Sequence, residues 1–303
     1  MSTHDSPIHD NVGRALSSVD PLVWSPSARE VQRIALRKKL ARRRIVVAAI
    51  STLIVLGSLA AVLVTSPGWK VVNKTFFDWS YGLTVLHLVI KGILTNIGLT
   101  LIASVAIGII AMCLALARTS KSAAMTPFRF LATAYVDIFR GVPLLLVILL
   151  VGFGIPALRI KIIPNSVLVL GTIAVVLTYS AYVAEVIRSG ILSVHPSQRA
   201  AARSLGLNQS QTLRHVVLPQ AIKRVVPPLL NDLVALLKDT GLVSILGVID
   251  AVRAAQIEAS RTFNYTPYVI AAILFLFITI PLTRYTDRVL LRSISRQNAE
   301  GTA

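Results

Sequence analysis

The sequence is short of charge and of cysteine. Only 15% of its 303 residues are Asp, Glu, Lys or Arg, against about 25% in an ordinary water-soluble domain, while 54% are apolar and the mean hydropathy is +0.72. That deficit, with several uncharged stretches of about 18 residues or more, excludes most soluble enzyme folds and points to an all-α polytopic membrane protein. The single cysteine, Cys113, lies in an apolar stretch, which excludes an intrachain disulfide and any Cys-based zinc or iron–sulfur site. No Gly-Lys dipeptide occurs, so the phosphate-cradling loop G-x-x-x-x-G-K-[ST] is missing and ATP hydrolysis by this chain is not expected. His87, His195 and His215 lack metal-ligand spacing, and no nucleophile–base arrangement appears, so neither a metal nor a catalytic residue is expected.

What charge there is carries mostly one sign: 31 Lys and Arg stand against 13 Asp and Glu. In a soluble protein such a surplus would suggest nucleic-acid binding. Here the basic residues fall between apolar runs, without an aromatic-interleaved basic surface or zinc-finger spacing, so no nucleic-acid partner is expected. The runs are 45–65, 92–117, 141–158, 162–184, 225–249, which has internal charges, and 262–283. About 20 residues at 1.5 Å each cross the hydrocarbon core, which predicts about six spans with both termini on one side. With that side in the cytoplasm, the inner segments carry 23 Lys and Arg and the outer ones 7, the bias of the positive-inside rule.

Residues 1–44 are polar, and at least 1–26 lack apolar periodicity and read as disordered. Arg29, Arg33, Arg37, Lys38, Lys39, Arg42, Arg43 and Arg44 precede the run at 45–65. That run reads as an uncleaved span, because a secretory signal would be shorter, nearer Met1 and closed by a small-x-small site. The basic tail orients the span or binds anionic membrane lipid. Between 66 and 91 lie Trp69, Phe76, Phe77, Trp79 and Tyr81, suited to lying along the outer surface of the membrane. An ordinary connecting loop with buried aromatics is the equal alternative.

About 40 residues separate the fourth and fifth runs on the inner side, too many for an unstructured connection. Pro196 suits a helix start, and Gly206 suits the left-handed position that ends one. Asn208 or Ser210 can cap a second helix, which runs from Gln211 to Leu218 until Pro219 interrupts it. Small side chains at Ala200, Ala201 and Ala202 let another protein approach the backbone. Arg199 and Arg203, four apart, project together toward an acidic partner. An amphipathic helix on the lipid headgroups is the alternative that the physics leaves open.

The stretch from Ser180 to Gln256 resembles the membrane permease subunits of ABC importers for polar amino acids, whose hallmark is a cytoplasmic Glu-Ala-Ala loop. Ala200-Ala201-Ala202, Gly206, Val216, Leu218 and Pro219 keep the spacing of that loop, with Ala200 in the place of Glu and Val216 in the place of Ile. Tyr135 to Leu145 is similar to the Phe-Arg-Gly-Thr-Pro-Leu signature of the amino-acid subgroup, with Val142 at the Thr position. The resemblance implies a type I importer permease-like core at 92–292 with a coupling loop at 187–219. Around it lie a cytoplasmic tail at 1–44, an added span at 45–65, an external interfacial segment at 66–91 and a cytoplasmic tail at 293–303.

Within the fifth run sit Asp232, Lys238 and Asp239. Each costs about 2.5–3.5 kcal/mol at the centre of a spanning helix, so these residues should face a partner or a watery cavity. Asp232 and Asp239 share one helix face, with Lys238 about 100° away. Thr240-Gly241 can end or unwind the helix, and a broken helix beside opposite charges suits a zwitterion. Leu-Leu-Lys-Asp-Thr recurs at this place in the family and implies a translocation role: Lys238 for the substrate carboxylate, Asp239 for its ammonium. A permanent Lys238–Asp pair that fixes a dimer is the structural alternative. Asp137 and Arg140, three apart, form either a local ion pair or an inner gate.

The resemblance implies a chain that binds no cofactor of its own. A separate ATP-binding subunit, using ATP and Mg, receives the 196–219 hairpin, and an external solute-binding protein delivers the amino acid. A second permease chain, identical or similar, completes the pathway in a bacterial-type cytoplasmic membrane. Pathway acids lean toward a cationic substrate. The rival class is an ion- or proton-coupled secondary transporter or channel, with Asp232 and Asp239 carrying protons or cations and no ATPase required.

Overall fold

A computed structural model of the chain describes residues 27–120, 122–159 and 165–301, with side chains except at 35 and 292–301. Every regular element among them is helical. The segment 1–26, expected to be disordered, lies outside the described residues. The chain divides into two units, 1–69 and 70–303.

Among the described residues the first unit is built on one helix, α1 (Ala28–Thr65). The Ser27 side chain accepts from the Glu30 amide at 3.3 Å and caps it. The helix passes unbroken from the basic segment into the apolar run, and its 21 uncharged residues at 1.5 Å rise give about 31 Å, the thickness of a hydrocarbon core. Ser66 adopts an extended conformation before Pro67, which cannot continue the helix.

The second unit begins with the short α2 (Trp69–Phe76). Asp78 then caps α3 (Trp79–Thr119), its carboxylate accepting from the Tyr81 amide at 3.1 Å. Only the part of 66–91 before Trp79 therefore lies outside α3, and no break occurs at 91/92. The expected boundary is corrected because Gly82, Val85 and Val89 already occupy the buried face that continues through Ile93 and Asn96. Those residues keep helical spacing well before the uncharged run starts.

The run at 141–158 is not one straight span. α4 (Thr126–Gly141) meets α5 (Leu144–Ala157) at a 106° bend. Pro143 forces the corner: the residue before a proline is driven out of the helical region, and Val142 is extended at φ −101 and ψ 131. α6 (Val167–Leu192) runs eight residues past the expected end at 184, and the start of that expected span at 162 lies outside the described residues.

After α6 come α7 (Pro196–Ser204) and α8 (Gln209–Thr212), then a π turn (Leu213–Val217) that opens directly into α9 (Leu218–Asp239). Pro219 does not interrupt the chain as expected. It occupies the first turn of α9, where a missing amide is tolerated, and the wide π turn absorbs the change of register just before it. Pro227 and Pro228 lie inside α9 without ending it. The helix stops at Asp239 and continues as a 3-10 segment (Thr240–Leu246), so the predicted unwinding at Thr240-Gly241 is observed. α10 (Ala251–Thr262) and α11 (Thr266–Gly301) complete the unit.

By length and composition α1, α3 extended by α2, α6 and α11 can each cross a membrane, and the bent α4–α5 pair, counted as one span, makes a fifth. The remaining expected span, 225–249, corresponds to α9, which starts seven residues earlier and ends at Asp239. Its 22 residues reach about 33 Å, but it carries five charged residues.

Packing follows membrane rules. α6 lies at the centre against α3, α4, α5 and α9. α3 and α6 both bring buried small side chains to the core they share, Ala103, Ala111 and Ala115 from α3 and Ala174, Ala181 and Ala184 from α6. Large ones such as Leu101, Ile102 and Val105 face outward. Small residues let helices approach closely, and lipid solvates the large ones as well as a core would. A second cluster joins Val89 and Ile93 of α3 to Ala251 and Ala255 of α10 and Ile270 and Ala271 of α11.

Candidate functional site

Three groups of residues carry the site. The first is the helix–turn–helix hairpin at 196–219. Pro196 begins α7, and the His195 ring caps it by accepting from the Ser197 amide at 3.2 Å. Gly206 ends it with φ 82. The Leu207 amide donates to the Ala202 carbonyl at 3.2 Å and the Gly206 amide to the Arg203 carbonyl at 2.9 Å, the paired bonds of a Schellman stop. Asn208 and Gln211 then close a reciprocal capping box, each bond 2.9 Å. Ala200 and Ala201 are exposed, Ala202 is buried against the hairpin, and Leu205 at the tip is 84% exposed. Leu218 is half-buried where α9 begins, and Pro219 is exposed.

Arg199 and Arg203 do not project together. Arg203 is exposed, whereas Arg199 turns inward and donates from Nη2 to the Ile191 carbonyl at the end of α6. The physical reason is the end of α6 beside it: the last carbonyls of a helix lack intrahelical donors and carry the negative end of its dipole, which attracts a nearby guanidinium. Arg224 of α9 converges on the same place, donating to the Ser193 carbonyl and, at 2.9 Å, to the Ser193 hydroxyl. The hairpin, α6 and α9 are thereby tied at one point.

The second group lies where α9 ends. The Tyr179 hydroxyl donates to Asp239 Oδ2 at 2.7 Å. Asp232 and Asp239 are half-buried, and Asp232 Oδ2 is buried without a hydrogen-bond partner among the described residues. Lys238 is exposed and forms no ion pair among them. Asp232 and Asp239 thus share the inward face and Lys238 points elsewhere, as their seven- and one-residue separations require.

The third group is the expected gate. Asp137 and Arg140 form no ion pair among the described residues. Arg140 is the penultimate residue of α4, and its guanidinium lies over the Tyr182 ring, 5.9 Å from the centroid, a cation–π contact. Asp137 is exposed on the preceding turn.

Residues 122–293 match the family described as "Binding-protein-dependent transport system inner membrane component". The chain belongs to this family. It is 38% identical over 158 residues to the probable glutamine ABC transporter permease protein GlnM of Bacillus subtilis, covering 52% of this chain and 72% of that one. It is 35% identical to the putative glutamine transport system permease protein GlnP of Rickettsia conorii, covering 68% and 92%. Its fold matches the crystal structure of an amino acid ABC transporter with histidines at a TM-score of 0.65 and 33% identity, over 71% of this chain and 98% of that chain. The all-α, multi-pass membrane fold is that of the ABC importer permeases.

Several residues of this permease escaped the sequence reading. Glu185 of α6 accepts from Arg118 of α3 at 2.6 Å and from Arg188 Nε at 2.9 Å, with a further Arg188 bond. The three-residue spacing from Glu185 to Arg188 was legible, but nothing local announced Arg118. Asn96 of α3 donates to Thr240 Oγ1 and to Asp250 Oδ2, both at 3.1 Å, and accepts from the Ala251 amide at 3.1 Å. Asp250, fully buried, caps α10 through the Arg253 amide at 2.8 Å. The backbones touch here, since a Cβ on Gly92 would lie 2.4 Å from the Ala251 nitrogen. A lone Asn in an apolar run and an Asp at its edge were the available signals. The knot they form holds the 3-10 segment that begins immediately after Asp239.

Proposed function

We propose that this permease forms the membrane pathway of an amino-acid importer, with the 196–219 hairpin seated in a cleft of a separate ATP-binding subunit. The observation that carries the reading is the hairpin itself. It shows an exposed small-residue face at Ala200 and Ala201 and an apolar tip at Leu205, and it is fastened to two long helices by Arg199 and Arg224. Closure of an ATPase dimer on such a rigid part displaces α6 and α9 together. ATP binding and hydrolysis, with Mg, belong to that partner. The solute arrives from an external binding protein, and a second permease chain, identical or similar, supplies the other half of the pathway. Both termini face the cytoplasm.

At the substrate, Asp239 takes the ammonium group, oriented by Tyr179, with Asp232 adding negative charge on the same face. Lys238, which has no acid of its own chain to pair with among the described residues, takes the carboxylate. The test separates transport from assembly. Lys238→Met is expected to leave the complex assembled and to lower uptake at least tenfold; assembled complexes that transport at the normal rate refute the role of Lys238.

A further inference from the structure

We propose that the inner-surface end of α1 is a binding site for the phosphate headgroups of anionic phospholipids. Lys38, Lys39, Arg42 and Arg43 share one face of the helix over two turns, and Val46 continues that face into the apolar run. The five side chains line a shallow concavity of about 430 Å³. At 1.5 Å per residue the four cations lie roughly 3–10 Å beyond Ile45, within or just beyond the interfacial layer that flanks the hydrocarbon core. The cations and Val46 are exposed. The sole acid in α1 is Glu30, eight residues from Lys38, about 12 Å along the axis, so the cations are not neutralised from within.

Two alternatives fit these residues less well. A helix lying flat on the surface needs one apolar face, but Arg37 and Arg44 occupy the opposite side of the same turns, so the segment stands through the headgroups. Orientation alone does not require the cluster either. Leaving out the nine Lys and Arg of 1–44 still leaves 14 inner against 7 outer basic residues. A cationic patch followed on the same face by an apolar side chain matches an anionic lipid, phosphate above and acyl chain below. An acidic peptide or nucleic acid would leave Val46 unmatched. The site lies outside the family match at 122–293 and belongs to what this chain adds to it.

The test reconstitutes the full-length chain in vesicles of 70:30 phosphatidylcholine to phosphatidylglycerol, extracts it in mild detergent and measures the retained lipid by mass spectrometry. Each cation near a charged surface is worth about fivefold in association. The wild-type chain is expected to enrich phosphatidylglycerol at least fivefold over the vesicle ratio, and to lose the enrichment in a 0.5 M salt wash (~0.5 M, a Debye length of about 4–5 Å). Lys38→Gln/Lys39→Gln/Arg42→Gln/Arg43→Gln should abolish it and Lys38→Arg/Lys39→Arg/Arg42→Lys/Arg43→Lys should keep it. Equal enrichment by wild-type and glutamine variants, or enrichment that survives the salt wash, overturns the proposal. If the fourfold variant fails to insert, the single exchanges Lys39→Gln and Arg42→Gln, each expected to lower the enrichment severalfold, decide it.

Discussion

The Arg224 guanidinium, on α9, closes the C-terminal end of α6 by donating to both the carbonyl and the hydroxyl of Ser193. With Arg199 on the Ile191 carbonyl, it ties the hairpin to the two helices. Arg224→Gln leaves a helix terminus without its charged donor, a loss of about 1–3 kcal/mol. The expected outcome is a complex that assembles and hydrolyses ATP but imports several-fold fewer molecules per ATP, with Arg224→Lys partly restoring the ratio. An unchanged ratio of transport to hydrolysis contradicts the coupling role.

Tyr179 presents a different kind of prediction, because its hydroxyl is the one donor seen on Asp239 among the described residues. A hydrogen bond to a charged group contributes about 1.5–3 kcal/mol, so Tyr179→Phe should weaken uptake roughly tenfold or more. The loss should appear chiefly in the apparent KM, with assembly intact. Kinetics of uptake over a range of amino-acid concentrations check this, and an unchanged KM removes Tyr179 from the site.

The Asn96 knot predicts an ordering of variants. Asn96→Ala takes the Asn96 donor from Asp250 Oδ2 and leaves the Ala251 amide without its acceptor, at about 1–3 kcal/mol for an unsatisfied buried group. Asn96→Asp is worse, since it sets a second carboxylate about 3 Å from the first. Asp250→Asn, which keeps the cap and adds no charge, should be the mildest of the three. Thermal unfolding of the purified permease should follow that order; Asn96→Asp as stable as wild type would show that the knot is not a packed, dry contact.

The hairpin was legible in the sequence because its signals are local. Pro196, Gly206 and the capping residue Asn208 each act within four residues of themselves, and the structure uses all three. The unwinding after Asp239 was legible for the same reason. Long-range pairings were not: Arg199 has the same four-residue relation to Arg203 whether or not the end of α6 lies beside it, and only the tertiary fold brings the Ile191 carbonyl within reach. The start of α3 was misplaced because an uncharged run marks lipid contact, whereas 79–91 is held as a helix by buried positions spaced among exposed ones. The family resemblance at 180–256 supplied the function. The physics of small residues alone left a lipid-surface helix equally open.

A hairpin that seats an ATP-binding subunit brings position 201 against that partner, and a cysteine placed there reports it. In a Cys113→Ser background, Ala201→Cys in inside-out vesicles should crosslink to the ATP-binding subunit, and Leu205→Glu, which puts a charge at the exposed tip, should reduce that crosslink at least fivefold while the permease stays in the membrane. Labelling of the same cysteine from the outside of intact cells, or full crosslinking despite Leu205→Glu, would contradict the account.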